Sequence, residues 1–98
     1  MTVRYLLRPK AQSDLEGIWN YTAATWSVAQ AATYTRQIQG SLELLADEPH
    51  LGRACDDIRP GYHKFLSGTH IIFYMVTDGG TIDVVRILHQ RMDIGRAF

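Results

Sequence analysis

The sequence predicts an α+β fold: a strand, a two-helix antiparallel hairpin, then a three-stranded antiparallel meander, forming one sheet with the helices on one face, followed by a short C-terminal tail. Three observations predict this fold. Two amphipathic helical patterns follow one another in the first half of the chain, three apolar segments with strand patterning occupy the second half, and turn residues separate those segments. A chain of 98 residues is expected to form a single domain over 1–98.

The first strand and first helix meet at Pro9. Residues 3–8 alternate as a strand does, and Pro9 ends that pattern while fitting the first turn of a helix. Apolar or small side chains then recur at spacings of three and four, which places them on one helical face: Ala11, Leu15, Ile18 and Thr22.

The second helix has the most regular pattern in the chain. Ser27 and Gln30 have the spacing of a capping box, and Pro49 ends the helix because the residue before a proline is disfavoured in helical geometry. The short connection between the two helices predicts an antiparallel hairpin. The apolar face of the second helix comprises Val28, Ala31, Thr35, Ile38, Leu42 and Leu45.

Residues 48–61 are rich in proline and glycine and are predicted to form a loop, after which strands are predicted over 62–66, 69–77 and 81–88. The short turns between these strands require antiparallel neighbours. The middle strand is apolar on both faces, which predicts a central position.

The central strand has apolar side chains on both faces of the sheet, and both faces must be shielded from water. Phe73 and Met75 share one side of it, and two helices can cover only one face of the sheet. We therefore expect an amphipathic segment of a partner to cover the other face. Trp19 and Trp26 lie off or at the end of the helical stripe, and they either contact a partner or wrap around the core edge.

Composition excludes several function classes. Ten basic residues balance ten acidic ones, which disfavours direct binding of nucleic acid, and the lone Cys55 allows neither an intrachain disulfide nor a cysteine metal site. The four histidines lack metal-ligand spacing, and no glycine-rich phosphate loop is present, so we expect no metal, cofactor or small-molecule substrate. The absence of a long apolar run predicts a cytoplasmic protein without membrane contact.

One catalytic alternative remains open. Metal-free cleavage of RNA needs a base, an acid and cations beside the phosphate. Side chains of these types could come from one end of the meander: Tyr62, His63, Lys64, His70, Arg86, His89 and Arg91.

Four stretches of the chain resemble ParE toxins of the RelE/ParE superfamily of type II toxin–antitoxin systems. They are LRPKAQSDLEGIWNY, PHLGRACDDIRPGYHKF, HIIFYMV and VVRILHQRMD, and the resemblance spans roughly residues 4–93. The most specific piece is RILHQRMD, which is similar to the terminal motif of the family. The whole chain is accordingly expected to be one RelE/ParE-like toxin domain.

The resemblance implies a toxin that inhibits DNA gyrase by protein–protein contact, without catalysis. It also implies a ParD-like antitoxin, which would form a hetero-oligomer with the toxin and supply any contact with operator DNA. We expect this antitoxin to cover the open sheet face, with contacts at Trp19, Trp26, Phe73 and Met75.

RelE-like relatives instead cleave mRNA on the ribosome. They carry a tyrosine after the last strand, whereas no tyrosine follows Arg91 here. That departure favours the ParE interpretation over an endoribonuclease. A third alternative is an inactive toxin that only binds its antitoxin.

The polar tail after the last strand is the expected target-binding element. The residues expected to contact the target are Arg86, His89, Gln90, Arg91, Asp93 and Arg96. A structural alternative stays open, in which these side chains fix the tail against the sheet: Arg86, His89, Gln90, Arg91 and Asp93. In a further alternative, His89 and Asp93 only hydrogen-bond the loop at residues 52–61 and hold Arg53 or Arg59.

Overall fold

A computed structural model describes residues 4–98, and Val3 of the predicted first strand lies outside them. The elements, in chain order, are β1 (Tyr5–Leu7), α1 (Pro9–Thr25), α2 (Val28–Asp47), β2 (Arg53–Ala54), β3 (Tyr62–Ser67), β4 (His70–Val76), β5 (Ile82–His89) and α3 (Ile94–Ala97). The α+β fold and the order of strand, helical hairpin and meander are thus confirmed. No helix within residues 4–98 is long and apolar enough to cross a bilayer.

Local chemistry sets the ends of the two long helices. Pro9 occupies the first turn of α1, where its missing N–H costs no hydrogen bond. The Ser27 hydroxyl accepts a hydrogen bond from the Gln30 N–H at 3.0 Å, as the predicted capping box requires. At the far end of α2, the Glu48 N–H donates to the Leu44 carbonyl at 2.9 Å, just before Pro49.

The helical stripes of α1 and α2 pack on one face of the sheet. Ile38, Leu42 and Leu45 are fully buried there against Ile72 and Tyr74 of β4. Burying each of these aliphatic side chains contributes about 2 kcal/mol, so this face holds the main core of the fold. The first member of the predicted stripe is an exception: Val28 stays exposed because it lies at the hairpin end of α2, beyond the sheet.

The sheet has five strands in the order β1-β5-β4-β3-β2, with β4 at its centre as predicted. β1 pairs with β5 in parallel, and the other neighbours are antiparallel. The β4–β5 ladder contains a bulge, since Tyr74 faces Val84 while Phe73 faces Arg86, which leaves Val85 as the extra residue. The bulge therefore places Val84 and Ile87 on the helix-covered face, while Val85 joins the opposite face.

The second sheet face has its own cover, and the prediction that it lies open is wrong for Phe73. That side chain is only 1% exposed, because Phe98 packs against it with the ring centroids 5.2 Å apart. Ile94 and Ala97 of α3 and Ile58 of the loop before β3 also pack on this cluster. The tail and the loop together thus cover the centre of this face, while Leu66 at its margin remains exposed.

The loop at residues 48–61 is more structured than predicted. Arg53 pairs with Lys64, so β2 adds an edge strand that the sequence pattern was too short to indicate. The Tyr74 hydroxyl donates to the Pro49 carbonyl at 2.7 Å and accepts from the Gly52 N–H at 2.9 Å. Gly52 has no room for a Cβ atom, which would overlap that hydroxyl oxygen, so the loop needs glycine there.

Candidate functional site

A groove of 730 Å³ runs between α1, the first half of α2 and the end of β5; we call it the α1–β5 groove. Ile18 and Ile87 contribute apolar lining, and two aromatic side chains stand at the groove with most of their surface exposed: Tyr21 at 69% and Trp26 at 74%. Exposed aromatic side chains beside an apolar groove are typical of a protein-binding surface. Trp19 is not part of this lining and is only 36% exposed.

One wall of the groove is a partly unpaired strand edge. β1 pairs only with residues 82–84 of β5, and the Arg8 N–H extends that edge with a bond to the Val84 carbonyl at 3.0 Å. Further along, the Ile87 N–H donates to the Asp14 carboxylate of α1 at 3.0 Å instead of to a strand. At this edge a side chain, and not another strand, accepts the hydrogen bond from the backbone N–H. A strand of a partner protein could therefore pair with the edge through its own backbone.

Asp14 also holds Arg86. The guanidinium donates from Nε and Nη2 to the two carboxylate oxygens at 2.7 and 2.8 Å, a bidentate arrangement in which both side chains are largely buried. The hydrogen bond to Asp14 raises the pKa of Arg86, so the guanidinium stays charged. Nη1 of Arg86 donates to the Ala97 carbonyl at 3.4 Å, which links α1 through β5 to the tail.

Two histidines meet at one end of the groove. The ring centroids of His70 and His89 are 5.2 Å apart in an edge-to-face arrangement. Nδ1 of His70 lies 2.6 Å from the Tyr34 hydroxyl, and Nδ1 of His89 accepts from the Arg91 N–H at 3.1 Å. Burial lowers the pKa of His70, the neighbouring His89 lowers it further, and Asp14 opposes the shift. His70 is therefore neutral near pH 7 and contributes a polar surface without charge.

The side chains proposed for RNA cleavage do not share one end of the meander, so that prediction is wrong. His70 pairs with His89 at one end, whereas Tyr62 faces Met75 near the other end of the same strands. The His63 ring stacks on Tyr74 with the ring centroids 5.4 Å apart, whereas His70 and His89 pack against each other. Burial raises the pKa of the Cys55 thiol, which keeps it protonated and a poor nucleophile. Within residues 4–98, no three metal-ligating side chains come together.

The six predicted target-binding residues occupy two environments. Arg86 is held by Asp14, and His89 lies in the groove, so both have intramolecular partners. The other four are exposed in the turn after β5 and around α3: Gln90, Arg91, Asp93 and Arg96. Arg96 lies 3.9 Å from the Asp93 carboxylate, an exposed ion pair.

His89 and Asp93 make the contacts described above and do not hold the loop at residues 52–61, so that alternative is wrong. The structural role for Arg86, by contrast, is the one observed, since it joins the tail to the sheet. Its contact with a target stays a prediction.

Sequence reasoning missed three contributors: Asp14, Tyr34 and Phe98. Asp14 shares a helical face with Ile18 and Tyr21 at spacings of four and three, a signal that could have placed it on the groove side of α1. Nothing in the local pattern indicates that Phe98 returns to the sheet. Met75 of the predicted antitoxin-binding set is half-buried, and Phe73 can contact a partner only if Phe98 moves.

Comparison with known proteins gives consistent matches. Residues 5–94 match the family model described as the ParE toxin of the type II toxin–antitoxin system parDE. Toxin ParE1 of Mycobacterium tuberculosis is 55% identical over 96 residues, which cover 98% of both chains. Toxin ParE1 of Caulobacter vibrioides is 39% identical over 89 residues, or 91% of each chain. A solved structure titled as a chromosomal ParDE system from P. aeruginosa matches with a TM-score of 0.73 over 89% of this chain and 98% of that one, at 17% identity, which supports the fold.

Proposed function

This chain belongs to the ParE toxin family of parDE type II toxin–antitoxin systems, and from that membership we propose that it inhibits DNA gyrase by protein–protein contact, without catalysis, and that a ParD-like antitoxin neutralises it. The gyrase target follows from the resemblance of the terminal motif to ParE toxins. The observation that carries the proposal is that the fold offers two adjacent but different surfaces, the α1–β5 groove and the exposed polar residues of the tail.

The antitoxin is proposed to occupy the groove. An amphipathic segment seated there would bury Tyr21 and Trp26 and could pair its backbone with the β5 edge beyond Arg8. His89 and Met92 line the same groove, so the segment would lie directly beside Gln90 and Arg91. Neutralisation would then follow from steric cover of the tail, with no need for the toxin to change shape.

The target is proposed to contact the tail through its exposed residues. Arg91 and Arg96 are free to bind carboxylates of a protein, because the Arg96–Asp93 contact at 3.9 Å is exposed and weak. A contact mechanism also agrees with the buried, protonated Cys55 and with the separation of Tyr62 from His70, since neither arrangement offers an activated nucleophile or a paired acid and base.

A supercoiling assay with purified gyrase tests the target assignment. The full chain is expected to inhibit supercoiling, and the chain lacking residues 91–98 is expected to lose that inhibition. Because this deletion also removes the cover of Phe73, the double variant Arg91→Ala/Arg96→Ala provides a matched form that keeps Phe98 in place. Full inhibition by both altered forms would refute the role of the tail.

Two further assays separate the alternative functions. Translation-coupled cleavage of mRNA with gyrase unaffected would identify an endoribonuclease, and normal growth on expression without antitoxin would identify an inactive toxin that only binds its antitoxin. Either result would overturn the gyrase proposal.

The groove assignment has its own matched pair of variants. Gly17 lines the groove with no heavy atom within 4 Å of an added Cβ, so Gly17→Leu should project into the groove without disturbing the core. Gly40 of α2 is equally open but lies outside the groove, so Gly40→Leu serves as the control. Gly17→Leu should weaken antitoxin binding at least about tenfold, whereas Gly40→Leu should not. Equal affinities would contradict the groove as the antitoxin site.

A further inference from the structure

A second cavity, of 500 Å³, is lined by Arg86 but not by its ion-pair partner Asp14; we call it the basic pocket. The start of α1, the loop before β3, the bulge of β5 and the tail enclose it. Its lining contains no acidic side chain, although the whole chain is electrically balanced. The charged side chains that line it are all cationic: Arg8, Lys10, Arg59 and Arg86.

Two of these cations are fixed by ion pairs outside the pocket lining. Nη2 of Arg8 lies 2.8 Å from the Asp83 carboxylate, and Arg86 is held bidentately by Asp14. Side chains held in this way lose little further entropy when they bind a ligand. Lys10 and Arg59 are exposed, and neither forms an ion pair with another side chain within residues 4–98. Their charges are therefore available to an incoming anion.

Neutral groups at the pocket favour the same ligand. α1, a helix of 17 residues, begins without a side-chain cap and without an acidic residue in its first turn, so the positive end of its dipole is uncompensated. Tyr62 is 92% buried at the pocket wall. The hydrogen bond to Asp83 raises the pKa of Arg8, and Tyr62 raises it to a smaller extent, so this guanidinium stays charged.

We propose that the basic pocket is a binding site for a phosphate-class oxyanion, bound by the exposed Arg8, Lys10 and Arg59 and by the more buried Arg86 and Tyr62. Guanidinium groups match the geometry of phosphate oxygens, and Lys10 and Arg59 add two charges beyond the already paired Arg8 and Arg86. The site is separate from the α1–β5 groove and holds whether or not the groove binds an antitoxin. The phosphate can be a free anion or part of a nucleic-acid backbone, and these two sources share this chemistry.

Occupancy of the pocket has a consequence for the tail. Ala97 and Phe98 form part of the wall, and Arg86 donates to the Ala97 carbonyl. An anion bound in the basic pocket would lie between Arg86 of β5 and the wall formed by Ala97 and Phe98, and would add a contact between the sheet and the tail. Binding should therefore slow amide hydrogen exchange in residues 94–98.

Titration with inorganic phosphate tests the proposal. The purified full chain is titrated while sodium chloride keeps the ionic strength constant, and two-dimensional NMR follows the amides of Lys10 and Tyr62 and Nε of Arg86. Saturable shifts at these three positions are expected. The double variant Lys10→Gln/Arg59→Gln should bind phosphate about tenfold more weakly. Tyr62→Phe removes only the hydroxyl and should weaken binding by a smaller factor.

The matched control is Arg36→Gln/Arg53→Gln, which removes two exposed cations outside the pocket and should bind phosphate as the wild type does. Equal weakening in the control and in Lys10→Gln/Arg59→Gln, or shifts that never saturate, would show non-specific screening and overturn the proposal. A short DNA duplex identifies the source: displacement of phosphate by the duplex assigns the site to a nucleic-acid backbone, and its failure to displace bound phosphate assigns the site to a free anion.

Discussion

The two faces of the sheet are covered in different ways. On one face lie α1 and α2, of 17 and 20 residues, and Ile38, Leu42 and Leu45 of α2 are fully buried in the core that they form with β4. The other face is covered by a loop, the four-residue α3 and Phe98, which is only partly buried itself. A short cover over a small apolar cluster contributes less free energy and can open locally. The helix-covered face therefore sets the stability of the fold, while the tail-covered face can change with little cost to it.

The largest expected effect follows from a cavity in the helix-covered face. Leu42→Ala should lower the free energy of unfolding by about 3–4 kcal/mol, because the side chain is fully buried between α2 and the sheet. Urea denaturation followed by circular dichroism measures the loss. Leu66→Ala, at an exposed position on the opposite face, should cost less than about 1 kcal/mol. Similar losses for both variants would contradict the larger contribution of the helix-covered face to stability.

Asp14 of α1 holds Arg86, and Arg86 in turn contacts the tail that covers the second face. Substitution of Asp14 should therefore have the next largest effect on stability. Asp14→Asn keeps an acceptor for the Ile87 N–H but leaves Arg86 partly buried without a counter-charge, so we expect a loss of about 2 kcal/mol. Hydrogen exchange should rise at Ile87 and in α3. Asp83→Asn breaks the more exposed pair with Arg8 and should cost about 0.5 kcal/mol without affecting α3. If amide hydrogen exchange in α3 is unchanged in Asp14→Asn, then the Asp14–Arg86 pair does not stabilise the tail.

The cover of the second face should prove locally unstable. Phe98→Ala removes the ring that packs on Phe73 and Tyr62 and should cost about 1–2 kcal/mol, since Phe98 is itself only partly buried. Hydrogen exchange should accelerate in α3 and beside Phe73 while the amides of α2 keep their protection. Equal acceleration in α2 would mean that both faces unfold as one unit.

The smallest expected effect is a pH dependence at the groove. The folded-state pKa of His70 lies below the ordinary value of 6.5, so the unfolded chain binds the proton more readily. The stabilising contribution of neutral His70 is complete above that value and is lost as the pH falls towards the folded-state pKa. Tyr34, Thr69, His89 and Asp14 surround the ring and set this balance.

Urea unfolding at about pH 7.5 and about pH 5.5 measures this dependence. His70→Gln should reduce the difference in stability between the two conditions, whereas His50→Gln, at an exposed position, should leave the difference unchanged. A wild-type chain that becomes more stable on acidification, with His70→Gln showing the same gain, would contradict the direction of the shift.

The helix-covered face was more predictable from the sequence than the other one, for a physical reason. Periodicity and capping are local, so the stripe of Ile38, Leu42 and Leu45 and the cap at Ser27 follow from residues close in the chain. The cover of the second face is non-local. Phe98 reaches Phe73 only because the chain turns back after β5, and no periodic pattern in the tail indicates that path.

The groove shows the same contrast between local and distant signals. Asp14 and Arg86 are 72 residues apart, and no local pattern pairs them. Continuing the pairing of Val76 with Ile82 along the hairpin would set His70 opposite Leu88; the bulge at Val85 shifts the register and brings His89 there instead. A valine in an apolar strand gives no sequence signal for a bulge, so the histidine pair could not be predicted.

We propose that the antitoxin and the target bind different surfaces of this toxin, the α1–β5 groove and the tail. The most direct measurement is gyrase supercoiling inhibited by Gly17→Leu or by Arg91→Ala/Arg96→Ala, with antitoxin titrated into each reaction. We predict that Gly17→Leu inhibits gyrase as the wild type does but needs at least about tenfold more antitoxin for relief, while the double arginine variant binds antitoxin normally and inhibits gyrase poorly. Loss of both activities together in either folded variant would contradict the claim.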